Sequence, residues 1–194
     1  MKQREIVFLD TETTGLDSLR AEVIEFAAVK VYPDGAEETL HFLIRPERIE
    51  DAEPKALEVN GYAKAPERWA TAPTMADVGD QIAEFLRGTV LCGHNVSFDG
   101  AMLNANFQRS GIKKRVPYHK VDTSALAYEH LVPLGLPGLA LDKIRDFLDW
   151  DKEGAHTAMK DVRDTQRLYN LTARMNWWGR LKIRALRFWL AIRD

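Results

Sequence analysis

The 194-residue chain has a net charge of −2, with 45% hydrophobic and 29% charged residues, the balance of a globular protein and not of a disordered or fibrous one. No apolar run reaches the roughly 18 residues that a membrane span needs, and Met1-Lys2-Gln3-Arg4-Glu5 lacks a signal-peptide core, so a cytoplasmic protein is expected. The one cysteine, Cys92, excludes an internal disulfide and, set in Val90-Leu91-Cys92, reads as a buried thiol.

In chain order, Glu5-Ile6-Val7-Phe8-Leu9 is a β-branched and aromatic run that reads as a buried strand ending at Asp10. A turn at Thr14-Gly15-Leu16-Asp17 leads to a second strand over residues 23–32. Pro33-Asp34-Gly35 then turns the chain into a third near residues 40–44, giving an antiparallel meander. Residues 46–73 form a long, weakly patterned connection. Thr74 can cap a helix with Val78, Ile82, Phe85 and Leu86 on one face, ending at Gly88. A short strand over 89–92 follows, then a helix capped by Ser97, with Met102, Leu103 and Phe107 inward and a stop at Gly111. Residues 120–122 make a fifth strand, and 141–148 and 158–173 read as amphipathic helices. The alternation predicts an α/β fold, a mixed five-stranded sheet with helices on both faces. Residues 1–173 are expected to form one domain, with 174–194 as its extension or a docking element.

Asp10 and Glu12 stand two apart on the first strand, so their carboxylates point to the same face. Such a pair repels and is costly to desolvate. A hard divalent cation relieves both problems, and oxygen donors favour Mg²⁺ or Mn²⁺. Alone, the pair fits a solvated strand end equally well. Asp99, in Gly93-His94-Asn95-Val96-Ser97-Phe98-Asp99, falls in the first turn of a helix, where it also suits the helix dipole. Five positions on a helix separate His156 and Asp161 by about 140°. The two converge only if His156 lies on the preceding loop, as Gly154 suggests.

Taken together, Asp10, Glu12, Asp99 and Asp161 fall at strand or helix ends facing one edge of a sheet. In this arrangement the sequence resembles the DEDDh class of 3′–5′ exonucleases. That class belongs to the DnaQ-like (ribonuclease H-like) superfamily, with polymerase proofreading subunits and ribonuclease T. The resemblance rests on Asp10-Thr11-Glu12-Thr13-Thr14-Gly15-Leu16, on Asp99 and on His156-Thr157-Ala158-Met159-Lys160-Asp161, and covers about residues 5–172. The histidine separates this class from relatives with a tyrosine there. The resemblance implies a ribonuclease H-like fold and two divalent cations, about 4 Å apart, that clamp the attacking and leaving oxygens of a phosphoryl displacement. Asp10 would bridge them, Glu12 and Asp161 would be further ligands, Asp99 would ligate through water, and His156 would be the base. The product would be a nucleoside 5′-monophosphate. By position, the Thr13 and Gly15 backbones, Leu16, His94 and Phe98 would grip the substrate. Leu16 and Phe98 suit a core equally, and His94 suits a structural loop.

The expected substrate is a 3′ end, DNA before RNA. An exoribonuclease and a non-catalytic nucleic-acid-binding or polymerase-associated scaffold are the alternatives, the complete set of five residues arguing against the last. Residues 174–194 hold six basic residues and one acid, a local +5 against −7 for the rest. On a helix, Trp178, Leu181, Ala185, Trp189 and Ile192 would form a stripe, while Arg180, Arg184 and Arg187 gather elsewhere. That segment, Trp177–Arg193, suits packing on its own domain, a homodimer or polymerase contact, a nucleic-acid guide or interfacial membrane attachment. The apolar Ile183, Phe188 and Leu190 favour docking against protein.

Overall fold

The structure, a computed structural model, describes residues 4–173 and 175–193. Strand β1 (Ile6–Thr13) pairs antiparallel with β2 (Val23–Val31), and β2 pairs antiparallel with β3 (Glu37–Leu43). Helices α1 (Pro54–Val59) and α2 (Met75–Leu86) lead to β4 (Val90–Gly93), parallel to β1. Helix α3 (Val96–Arg109) leads to β5 (Lys120–Asp122), parallel to β4, so the sheet runs β3-β2-β1-β4-β5. Helices α4 (Thr123–His130), α5 (Leu141–Leu148), α6 (Ala158–Thr172) and α7 (Trp177–Arg193) follow. The α/β class and the meander-then-parallel sheet are those the sequence predicts.

The two-residue alternation of β1 sorts its side chains between two layers. Val7 and Leu9 pack with Ile82 and Leu86 of α2 and with Met102, Leu103 and Phe107 of α3. Phe8 turns the other way, to Ala27, Val29, Cys92 and the α6 residues Ala158 and Val162. A central strand covered on both faces needs the continuous apolar run from which it is recognised. A third cluster joins α4, α5, α6 and α7 through Ala127, Ile144, Phe147, Leu168 and Ile183.

Several boundaries differ from expectation. Strand β1 continues past Asp10 to Thr13, because Thr11 and Thr13 are still paired with Phe26 and Val23 of β2. Helix α3 is capped by Asn95, not Ser97. Asn95 takes a left-handed φ of 67° and its N–H is held by Asp122 Oδ1 at 3.0 Å. Helix α4 and the short helical turns within residues 46–73 were not foreseen. Helix α7 packs on its own fold through Ile183 and Leu190, a heptad apart, which are far more buried than the tryptophans of the expected stripe. Trp178, Leu181, Ala185 and Trp189 face outward with Phe188, which is 72% exposed. The side chains of Trp177, Arg180, Ile192 and Arg193 lie outside the described residues. No helix among the described residues is long and apolar enough to cross a membrane.

The long connection is pinned by Trp69. The β1–β2 register slips after Glu12↔Glu25, leaving Ile24 out of step, and its carbonyl accepts from Ile44 N at 2.8 Å and Trp69 Nε1 at 2.7 Å. Trp69 is 1% exposed. Replacing Trp69 with Ala is expected to cost about 3–5 kcal/mol of stability. Denaturant unfolding measures it; a loss below about 1 kcal/mol would place Trp69 outside the packed core.

Candidate active site

Because Phe8, Asp10 and Glu12 share one face of β1, the two acids meet the start of α6, where Asp161 occupies the first turn. One carboxylate oxygen from each of Asp10, Glu12 and Asp161 lies within 4.8 Å of the others. Thr11 points to the opposite face, toward α3. There its N–H and hydroxyl both donate to Asp99 Oδ1, at 3.0 and 2.8 Å. Asp99 is therefore buried beside the three clustered acids, fixed by the residue between two of them.

The start of α3 is placed by β5. Asp122 Oδ1 accepts from Asn95 N and from the N–H and hydroxyl of Ser124, tying the loop before α3 to the cap of α4. His156 lies on the loop before α6 with a φ of 64°. Its N–H donates to Asp161 Oδ1 at 3.3 Å, and its Nε2 lies 3.3 Å from Asp142 Oδ2.

Electrostatically the site is overloaded with acid. Burial first, then the charges of Asp99, Asp161, Glu12 and Glu25, raises the Asp10 carboxyl well above the usual range. Glu12 is pushed up to about 8 by burial, then by Asp161, Glu25 and Asp99. Burial pushes Asp99 up to about 7, against the opposing hydrogen bonds from Thr11. Burial also raises Asp161, although Arg145 opposes it. Oxygen donors this close, whose charged forms are this costly, suit a hard divalent cation. Cys92 takes no part, since burial in β4 pushes its thiol up and away from thiolate chemistry.

Three supporting groups have no counterpart among the residues expected from sequence. Glu25 faces Glu12 across β2 and is met by His41 Nε2 at 2.8 Å. Arg145, fully buried on α5, donates to Asp142, Asp161 and Asp164. Glu53, at the start of α1, accepts from Leu16 N at 2.9 Å, and a Cβ on Gly15 would stand 2.7 Å from its carboxylate.

That last contact shapes the loop expected to grip substrate. The Thr13 hydroxyl donates to Gly15 O, and Asn60 Nδ2 donates to Thr13 O. Leu16 projects outward, 74% exposed, whereas Phe98 is partly buried against the α2–α3 core. His94 spends both ring nitrogens internally. Nε2 donates to the Leu139 carbonyl at 2.6 Å, and Nδ1 lies 3.0 Å from the Thr123 hydroxyl, which also stands 3.2 Å from the Gly93 carbonyl. Burial lowers the His94 imidazolium, in keeping with a neutral ring.

A protein-family model described as exonuclease matches residues 7–169. The chain belongs to the exonuclease family. Within it, the chain is 30% identical over 174 residues to DNA polymerase III subunit epsilon of Escherichia coli, covering 86% of this chain and 70% of that protein. It is 29% identical over 191 residues to ribonuclease T of Shewanella frigidimarina, covering 90% and 84%. The fold matches E. coli exonuclease I solved with a dT13 oligonucleotide, at a TM-score of 0.75 and 22% identity over 89% of this chain. The chain spans 41% of that protein. This is the DnaQ-like exonuclease fold, and exonucleases of this family generally use divalent metal ions.

Proposed function

We propose that the chain is a 3′–5′ exonuclease that releases nucleoside 5′-monophosphates, from single-stranded DNA before RNA. The observation that carries this reading is the convergence of Asp10, Glu12 and Asp161 within 4.8 Å beside buried Asp99, with His156 on the adjoining loop. Two divalent cations, Mg²⁺ or Mn²⁺, held by the three clustered acids and by Asp99 through water, would supply charge stabilisation at the phosphorus. His156 accepts a proton from the attacking water. The water oxygen bonds to phosphorus as the P–O3′ bond breaks, and the penultimate nucleotide keeps its 3′ oxygen, which takes a proton from solvent. The loop at Thr13, Gly15 and Leu16, stiffened by Glu53 and Asn60, seats the terminal nucleotide. Leu16 is exposed enough to lie beside its base. The oligonucleotide in the structural neighbour favours single-stranded DNA, while the similarity to ribonuclease T supports RNA as the second reading.

The deciding assay follows 3′-end loss from single-stranded DNA, duplex DNA and RNA with Mg²⁺ or Mn²⁺, with Asp10→Ala as control. Fastest metal-dependent release of mononucleotides from single-stranded DNA supports the first reading, and fastest release from RNA the second. No release from any of them overturns both. Replacing His156 with Ala is expected to lower kcat by about 10²–10⁴-fold while the thermal midpoint holds. A purified His156→Ala enzyme working at the wild-type rate would remove the histidine from the reaction.

A further inference from the structure

Arg145 is 0% exposed and stands among three carboxylates. Its Nε donates to Asp164 Oδ2 at 2.8 Å, its Nη1 to Asp142 Oδ1 at 2.8 Å and its Nη2 to Asp161 Oδ1 at 2.6 Å. Lys160 Nζ lies 3.2 Å from the second oxygen of Asp164. Stability alone is a poor reason for such a cluster. Buried ion groups can often be replaced by apolar residues at no loss, whereas removing one partner leaves a costly unpaired charge. The connectivity is more informative. Asp142 passes its second oxygen to His156 Nε2, and the His156 N–H returns to Asp161 Oδ1, closing a four-residue ring from Asp161 through Arg145, Asp142 and His156.

We infer that Asp142 and Arg145 are positioning residues, which hold the histidine and the third clustered acid as one unit across α5 and α6. The inference rests on the catalytic reading of His156. That residue needs such support, because it sits on a loop, in a left-handed conformation, with a side chain 45% exposed. Without a partner its ring would sample several rotamers and both tautomers. An Nε2–H donated to Asp142 leaves Nδ1 as the acceptor. Arg145 is the rigid part of the device. Its planar fork serves three carboxylates in fixed directions, which an ammonium cannot do. Groups behind a reacting side chain commonly change rates by about 10–100-fold without touching substrate.

The test uses the full chain on a 5′-labelled single-stranded oligodeoxynucleotide with Mn²⁺. Asp142→Ala, at a half-exposed position, is expected to fold, to lose about 10–100-fold in kcat and to keep KM within about threefold. Combined with His156→Ala, it should be no slower than His156→Ala alone, since both remove one function. Arg145→Lys should reproduce the kcat loss with KM preserved. An Asp142→Ala enzyme at the wild-type kcat, or losses that multiply in the double variant, would overturn the inference. If His156→Ala itself keeps full activity, the catalytic reading of the histidine fails first. A spectroscopic measurement stands apart from turnover. Nitrogen NMR of the neutral His156 ring should show the Nε2–H tautomer in the wild type and a mixture in Asp142→Ala. Identical tautomer populations in the two proteins would refute the positioning role even in a chain with no measurable hydrolysis.

Discussion

Asp10→Asn is expected to fold normally and to lose hydrolysis by at least about 10³-fold, the scale of losing a group that stabilises charge in the transition state. Structure and electrostatics argue for both halves. Asp10 sits where its own oxygen meets those of Glu12 and Asp161, so its loss removes one of three converging donors. Burial and four neighbouring acids raise its carboxyl well above the usual range and so favour the neutral acid, to which asparagine is close in shape. The metal-free variant should therefore melt at or above the wild-type temperature, while added Mn²⁺ should raise its midpoint much less than it raises that of the wild type. Kinetics and paired thermal melts read the two effects. A variant keeping more than about a tenth of wild-type kcat would displace Asp10 from the centre of the site.

The parts of this site that were legible in the sequence are those with local signatures. A strand buried on both faces announces itself as an apolar run, and the acids two apart on β1 must share a face. The loop position of His156 followed from Gly154 and from helical geometry, and α6 does begin at Ala158. What was missed depends on contacts between distant segments. Helix α4 buries only Thr123 and Ala127, one position per turn, which leaves no amphipathic pattern to read. The cap of α3 moved to Asn95 because Asp122, 27 residues later, stabilises a backbone conformation that no local rule favours. On α7, Trp178 and Ala185 share one seven-residue spacing and Ile183 and Leu190 another, and the spacing alone does not say which pair turns inward to α5. Arg145 did leave a trace. It lies four residues after Leu141 and three before Leu148, inside the apolar stripe of α5, where a charge is expensive unless paired. An arginine at such a position points to carboxylates elsewhere, although it does not say which.

Metal binding should tighten steeply as pH rises through neutrality. In the metal-free protein Glu12 is held up to about 8 and Asp99 to about 7, both chiefly by burial, so a cation entering below pH 7 must displace protons. Each displaced proton makes the apparent affinity rise by up to about tenfold per pH unit until its carboxyl has ionised. The same shifts fix the sign of the stability change. Unfolded, these carboxyls titrate near their ordinary values, about 4, so between there and about pH 8 the folded state binds more protons. Their contribution to stability is complete below the unfolded values and is lost as pH rises through 7 and then 8. Metal-free protein should accordingly lose thermal stability from about pH 4 to about pH 8 and level off above, because the unfolded chain ionises these carboxyls before the folded one does. Protein saturated with Mn²⁺ should not, since the cation compensates the charge that burial otherwise penalises. Calorimetric melts across that range, with chelator or with Mn²⁺, give the two curves. Titrations in buffers of different ionisation enthalpy count the protons released. A metal-free midpoint that rises with pH, or metal binding that releases no protons at pH 6.5, would mean that the acids are already ionised and that the cluster is far better solvated than its geometry implies.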